Sequence, residues 1–416
     1  MVLSFIKNTF LFFLILINSC GTDPVKKENT ALADKKQETP TETKEKLAEI
    51  IVGANRTAVY LPFLENKKVG IVGNQSSVIF KDKNHKTYTH LVDSLVALNV
   101  NVIKVYAPEH GFRGTADAGE VIKDGKDVKT GLPIISLYGS NKKPTPQQLE
   151  NIDILIFDLQ DVGARFYTYI SSLHYVMEAA AANNIPMLIL DRPNPNGHYI
   201  DGPILEPQHK SFVGMHPIPV VHGLTMGEYA KMINGEKWLK NGIQAEITVI
   251  EMENYDHEKE YNLPIKPSPN LPSAKAVNLY PSLCFFEGTN VNAGRGTSKQ
   301  FQVFGSPFLD SEKYEFSYVP KPNEGSKHPK HEGKICYGKD LSNTEKLSEL
   351  NLDWLIEAYN NTSNKDDFFT DFFTTLAGTE KLQQQIGAGM TEDEIRETWE
   401  SGLKDFRKMR ERYLMY

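Results

Sequence analysis

An α/β fold with a Rossmann-like, doubly wound and mostly parallel sheet is predicted for the main body of this chain, together with a second, smaller α+β domain at the C-terminal end. Three observations predict it. From about residue 50, short β-branched runs alternate with stretches of helical periodicity. The runs are apolar throughout, as strands covered on both faces must be. Polar residues collect directly after them, where in an open α/β sheet the ligand crevice lies.

Taken in order, Val69 to Val72 is the first strand and ends at Gly73-Asn74-Gln75. Tyr88, Leu91, Val92, Leu95 and Leu98 share one face of a helix over about 88–98. Val100 to Tyr106 is the second strand, ending at Ala107-Pro108-Glu109-His110-Gly111, and Leu132 to Leu137 is the third. Thr145-Pro146 starts a helix, since proline suits the first helical turn. Asp153 to Phe157 forms the fourth strand, ending at Asp158-Leu159-Gln160-Asp161. An Ala-rich helix at about 167–183 leads to the strand Met187 to Leu190, which ends at Asp191-Arg192-Pro193-Asn194. Val220-Val221, a helix at Met226–Leu239 and the strand Ile247 to Ile250 continue the pattern.

The character changes at 259. A Pro-rich stretch, 263–272, is followed by a loop of small and polar residues, 286–297, and by a polar region, 311–345. Helices close the chain, the last carrying Ile395, Trp399, Leu403, Phe406, Met409 and Tyr413 at the spacing of a packing face. At the other end, Lys7 precedes the apolar run 10–17 and Asn18-Ser19-Cys20. That run is too short to span a bilayer and reads as a secretory signal of lipoprotein type, with Cys20 the lipid-modified residue. The following segment has no aromatic residue and mixes lysine with acids, the composition of a solvated tether. The expected layout is a signal peptide at 1–19, a tether at 20–48, a Rossmann-like catalytic domain at 49–258 and a C-terminal domain at 259–416 that closes the cleft.

Composition narrows the function. The 416 residues carry 46 Lys and Arg against 53 Asp and Glu, a net charge of −7, so no basic face for nucleic acid is implied. Three cysteines make no disulfide scaffold; Cys284 and Cys336 are the two that fall in the folded part. The turn after the first strand lacks G-x-G-x-x-G, and no P-loop, H-E-x-x-H, C-x-x-C or G-x-S-x-G motif occurs. What remains is carboxylate chemistry with amide, Arg and Tyr donors around it. Glu109, directly after Pro108 at a strand end, is the candidate general acid, with an ion pair to Arg113 or His110 as its structural alternative. Glu120, on the same loop, and Asp158 and Asp161 are candidates for a second carboxylate; Asp158 and Asp161 serve equally to position Arg165. Arg165, Arg192 and Arg295 suit an anionic group, because the guanidinium fork matches a carboxylate. Asn194, Asn196, Asn290 and Asn292 suit sugar hydroxyls or an acetamido group, or form turns.

At these residues the chain resembles the NamZ-like exo-β-N-acetylmuramidases. The resemblance is carried by Pro108 to Gly114, Phe157 to Tyr169, Leu190 to Pro195, Ser268 to Pro272, Glu287 to Asn290 and Gly294 to Thr297. It spans essentially all of 55–416. It implies a hydrolase that removes terminal N-acetylmuramic acid from the non-reducing ends of peptidoglycan fragments, with its active site between a Rossmann-like and a C-terminal domain. It places the family's catalytic glutamate on Glu109 and implies neither metal nor cofactor. With the strand-end residues it gives a site of Glu109, Glu120, Asp158 and Asp161 as catalytic candidates. Asn74, His110, Arg113, Gln160, Arg165, Tyr167, Asp191, Arg192, Asn194, Glu287, Asn290 and Arg295 are the substrate-binding candidates. The expected partners are muropeptides, plus a membrane reached through the lipid anchor alone, at the bacterial cell envelope. Two rival readings stand beside it: a non-catalytic peptidoglycan-binding lipoprotein, and a metal-dependent amidase or deacetylase using His110.

Overall fold

In the computed structural model of the chain, the described residues are 48–113 and 124–416. The expected signal peptide, Cys20, all but the last residue of the tether, and Glu120 lie outside them. Helix α1 (Thr57–Leu64) precedes strand β1 (Val69–Gly73), and a hairpin of β2 (Val78–Phe80) and β3 (Tyr88–His90) runs into α2 (Leu91–Ala97). Then come β4 (Val102–Ala107), β5 (Gly125–Lys126), β6 (Pro133–Ser136), β7 (Ile154–Asp158), α3 (Tyr169–Ala182), β8 (Met187–Leu190), α4 (Met226–Gly235) and β9 (Ile247–Ile250). These build a seven-stranded sheet of order β5-β6-β4-β1-β7-β8-β9. Only the short edge strand β5 is antiparallel. The parallel strands alone run third, second, first, fourth, fifth, sixth, which is the Rossmann order, and the direction of winding reverses at β1.

The strands are apolar throughout because successive side chains enter different cores. Ile154 and Ile156 of β7 join one buried cluster with Ile71, Leu188 and Leu190. Leu155 and Phe157 join the other with Val72, Tyr106 and Ile189. Helix α3, alanine-rich on its inner side, packs close enough to the sheet for eleven of its residues to be buried.

The C-terminal part opens with α5 (Ala274–Leu283) and holds a small antiparallel sheet, β10 (Val303–Ser306), β11 (Phe316–Tyr318) and β12 (Cys336–Asp340), with β12 in the middle. Helices α6 (Asp353–Asn361), α7 (Asp371–Ala377), α8 (Lys381–Gly387), α9 (Glu392–Glu397) and α10 (Glu400–Glu411) complete it. Leu279, Phe286, Phe304, Phe373 and Phe406 belong to the same cluster as β7 and α3, so the smaller part shares one core with the larger.

Four expectations for local structure are corrected. Residues 88–90 are a strand rather than a first helical turn, because Tyr88 and His90 pair with Phe80 and Val78. Thr145-Pro146 starts turns instead of a helix; the Gln148 side chain closes back on the Thr145 amide at 2.9 Å. Val220-Val221 makes isolated bridges to Ala164 and Asp201. The final helix breaks at Thr398 and Trp399 into α9 and α10. Cys284 and Cys336 are both buried free thiols.

Candidate active site

The site is assembled where the winding of the sheet reverses. Parallel register sets the end of β1 beside that of β7, with Gly73 opposite Asp158, and on its other side Val72 opposite Tyr106 of β4. Two residues past β4, Glu109 is half-buried at the strand edge. His110 and Gly111 follow with φ of 70° and 77°, a left-handed pair that turns the chain away from the sheet. The Glu109 carboxyl is gripped on both oxygens. Oε1 accepts from the Tyr138 hydroxyl at 2.8 Å and Oε2 from the Thr168 hydroxyl at 2.6 Å. Thr168 is the residue that precedes α3, and its side chain caps no amide of that helix, so its hydroxyl is directed to Glu109 instead. Behind Glu109, the Tyr169 hydroxyl donates to its carbonyl at 3.4 Å and accepts from Asn74 Nδ2 at 2.6 Å.

Glu109 stands on the wall of a cleft of about 720 Å³. Its other walls come from loops far apart in sequence. Tyr167, Ser268 and Asn270 line one part, and the Tyr167 hydroxyl is anchored on the Pro267 carbonyl at 2.8 Å. Glu287, Asn292 and Arg295 line another, with Arg295 Nε 3.1 Å from Glu287 Oε2. Lys327, His328 and Lys330 continue this wall. Lys330 holds the loop together by donating to the carbonyls of Phe286 and Val291 at 3.0 Å each, and also to that of Thr289. Burial lowers the pKa of its ammonium. Cys284 also lines the cleft, and burial pushes its thiol up, keeping it protonated.

Of the residues expected from sequence, Glu109, His110, Tyr167, Glu287 and Arg295 are brought to this cleft. Asn292, expected to suit a sugar, also reaches it, whereas the remaining described candidates are placed elsewhere, each for a physical reason. Asp158 is wholly buried and receives Arg192 through Nε at 2.6 Å and Nη2 at 3.0 Å, while Arg192 also donates to Val78 O at 2.9 Å. Burial pushes the Asp158 carboxyl up and Arg192 pulls it down; on Arg192 burial is outweighed by Asp158. Two short charge-assisted bonds hold the pair ionised. Arg165 is also fully buried, and its guanidinium is taken up by the carbonyls of Pro203, Ile218, Leu376 and Ala377 at 2.7–3.0 Å. Neither arginine lines the cleft. Asp161 is buried, accepting from the Gly163 amide at 2.7 Å with His222 at 3.6 Å. Asp191 accepts from Thr225, the Gly227 amide and Tyr416, and burial raises its carboxyl to about 6. Gln160 bridges the Asp161 and Pro193 carbonyls; Asn194 bonds Leu224 O and the Asn196 amide, and Asn196 bonds Val162 O and Val277 O. Asn290 fastens its turn to Phe368 and Asn364. Asn74 acts one step back, through Tyr169. Arg113 faces away from the cleft, pairing with Asp127 at 2.7 Å and Asp93 at 3.2 Å.

The sequence reading missed Tyr138, Thr168, Lys327 and His328. Tyr138 stands two residues after β6 and Thr168 within the quoted stretch 157–169, so position gave a signal for both. Lys327 and His328 come from the polar 311–345 region, where no spacing pattern marks them. Among the described residues no group of three His, Cys, Asp or Glu side chains is placed to hold a metal ion. No described helix is long and apolar enough to cross a membrane.

Breaking a glycosidic bond requires an acid beside the leaving oxygen, in a hollow whose donors can hold a sugar. Fold and site together put this chain among the α/β glycoside hydrolases. Similarity to known proteins narrows the class. Residues 69–275 match the family model described as exo-β-N-acetylmuramidase NamZ, N-terminal, and residues 278–416 match its C-terminal counterpart. The chain belongs to the exo-β-N-acetylmuramidase NamZ family. A peptidoglycan β-N-acetylmuramidase NamZ of Bacillus subtilis (strain 168) is 38% identical over 377 residues, covering 86% of this chain and 89% of that protein. Two solved DUF1343 family proteins of Bacteroides fragilis NCTC 9343 share the fold. One is 44% identical with a TM-score of 0.81, covering 89% of this chain and 99% of its own. The other is 28% identical with a TM-score of 0.74, covering 88% and 99%.

Proposed function

We propose that this protein removes terminal β-N-acetylmuramic acid from the non-reducing ends of peptidoglycan fragments, with Glu109 as the general acid. The observation that carries the reading is the grip on Glu109: a carboxyl fixed on both oxygens, at the reversal of the sheet, on the wall of a sugar-sized cleft. Hydroxyls suit this task because each can donate to the carboxylate or turn to accept from the protonated acid. Glu109 passes its proton to the bridging oxygen as the bond to the muramic acid breaks. Asp158 and Asp161 lie outside the cleft, so the second function at the anomeric carbon falls to the substrate's own acetamido oxygen or to Glu120, which lies outside the described residues; water then attacks the anomeric carbon and returns its proton to Glu109. The lactyl carboxylate of muramic acid is received by Arg295 and Lys327. The signal-like N-terminus, Cys20 and the charged tether support anchorage at the cell envelope, where such fragments arise.

Purified protein incubated with defined muropeptides should release free N-acetylmuramic acid, identified by mass spectrometry. Glu109→Gln should lower turnover by about 10²–10⁴, the usual range for a lost acid–base group, with an unchanged unfolding midpoint. Turnover like that of the wild type in this variant would remove Glu109 from the chemistry. Binding of muropeptides with no sugar released by the wild type would leave a binding protein instead.

A further inference from the structure

Most apolar side chains that line the cleft are buried, Phe166, Leu271, Tyr280 and Phe301 among them, but one stretch carries an exposed aromatic ring. Phe212, Val213, Phe372 and Leu376 line it, and the Lys142 ammonium lies over the Phe212 ring, 4.5 Å from its centroid. Phe372, in the first turn of α7, is 43% exposed. Its neighbours Phe369 and Phe373 pack on each other, ring centres 4.5 Å apart, while Phe372 is left facing the hollow. A large aromatic side chain held out on a cleft wall marks a surface that something apolar covers.

The stretch is built to stay in place. The buried Arg165 donates to the Leu376 and Ala377 carbonyls at the end of α7 at 3.0 and 2.7 Å, and to Pro203 and Ile218 on the segments flanking residues 212–214 at 2.8 and 2.7 Å. The arginine that suggested an anion site in the sequence therefore fastens the two halves of this wall from behind. It is also continuous with the acid. Tyr138, which bonds Glu109 at 2.8 Å, has its ring 6.3 Å from that of Phe212.

We propose that this apolar stretch is the subsite for the second pyranose of the substrate, the N-acetylglucosamine ring that leaves when Glu109 protonates the bridging oxygen. The inference rests on the muramidase reading above. Two features select this occupant. The cleft volume of about 720 Å³ falls well inside the range of roughly 300–1,000 Å³ that holds drug-sized ligands, so it has room beyond a single ring. The charged and the apolar stretches separate the two sugars: the ring bearing a carboxylate goes to Arg295 and Lys327, and the uncharged ring lays its C–H face on an aromatic side chain.

The test compares two substrates in wild type, Phe372→Ala and Phe372→Trp. One is the β-1,4 disaccharide of N-acetylmuramic acid and N-acetylglucosamine. The other is N-acetylmuramyl fluoride, whose leaving group has no ring. In Phe372→Ala the ratio of kcat/KM on the disaccharide to that on the fluoride should fall about tenfold, the size of a lost ring contact with its buried area. Phe372→Trp should restore the ratio to within about twofold of wild type. Equal losses on both substrates, or an unaltered ratio, overturn the subsite. So does a loss seen only when stem peptides are attached, which would assign the ring to the peptide. Wild-type protein that frees no muramic acid from either substrate overturns the muramidase reading itself, a result visible before any variant is made.

Discussion

Replacement of Asp158 by Asn separates a structural from a catalytic carboxylate. Asp158 is fully buried and Arg192 nearly so, and their bonds at 2.6 and 3.0 Å balance the two charges within the protein. The amide retains a hydrogen-bonding oxygen but leaves the guanidinium charge buried and uncompensated. Removing one member of such a pair costs about 3–5 kcal/mol. Against the roughly 5–15 kcal/mol that hold a native protein together, this is a large share. In urea, the unfolding midpoint of Asp158→Asn should fall steeply. Replacing both partners with apolar residues, as in Asp158→Leu with Arg192→Met, should recover most of the loss, because the unpaired charge goes with the pair. The fraction that remains folded should cleave the disaccharide with kcat close to wild type. An Asp158→Asn protein as stable as wild type, with kcat lowered by a hundredfold or more, would refute the reasoning and return Asp158 to the chemistry.

Thr168→Val and Tyr138→Phe each delete one bond to Glu109 and should lower kcat about 10- to 100-fold with little change in KM, the equivalent of a hydrogen bond to a charged group. Steady-state kinetics on the disaccharide checks this, and a loss confined to KM would contradict it. Gly163→Ala should destabilise the fold by at least about 1–3 kcal/mol in a urea melt. Gly163 has φ of 78°, and an added Cβ would lie 2.3 Å from Asn194 Oδ1. Stability should also fall in acid. Burial pushes the imidazoles of His90 and His174 from the usual 6.5 to about 4, and that of His216 well below 6.5. Below pH 6.5 the unfolded chain takes up protons that the native groups refuse, so His90 and His174 each remove about 1.4 kcal/mol per pH unit down to about pH 4, and His216 acts in the same direction. Asp191, raised by burial from 3.8 to about 6, acts in the opposite sense, its contribution being lost as pH rises through that window. Burial lowers His85, His198 and His331 in the same sense and raises Asp158 as it does Asp191, so six groups against two leave a net loss on acidification. Urea midpoints at pH 7 and pH 5 test this, and a higher midpoint at pH 5 would contradict it.

The six parallel strands, their order along the chain and the gathering of polar residues at their ends were legible in the amino-acid sequence, because burial on both faces leaves an unbroken apolar run and a parallel sheet delivers every such end to one side. Glu109 could be singled out for the same reason. Charge alone could not say which strand-end groups meet a ligand. Asp158, Asp191, Arg165 and Arg192 are the residue types that bind sugars and carboxylates, yet in the interior the fold pairs Asp158 with Arg192, gives Arg165 to backbone carbonyls and lets Asp191 accept from hydroxyls and an amide. Those partners lie 34 residues or more away along the chain, so no local pattern records them. Tyr138 and Thr168 became recognisable only when β6 and the start of α3 met at Glu109. A sequence specifies which groups must avoid water and which end of a strand they follow. Whether a given charge is neutralised within the protein or left for a substrate is settled by three-dimensional neighbours.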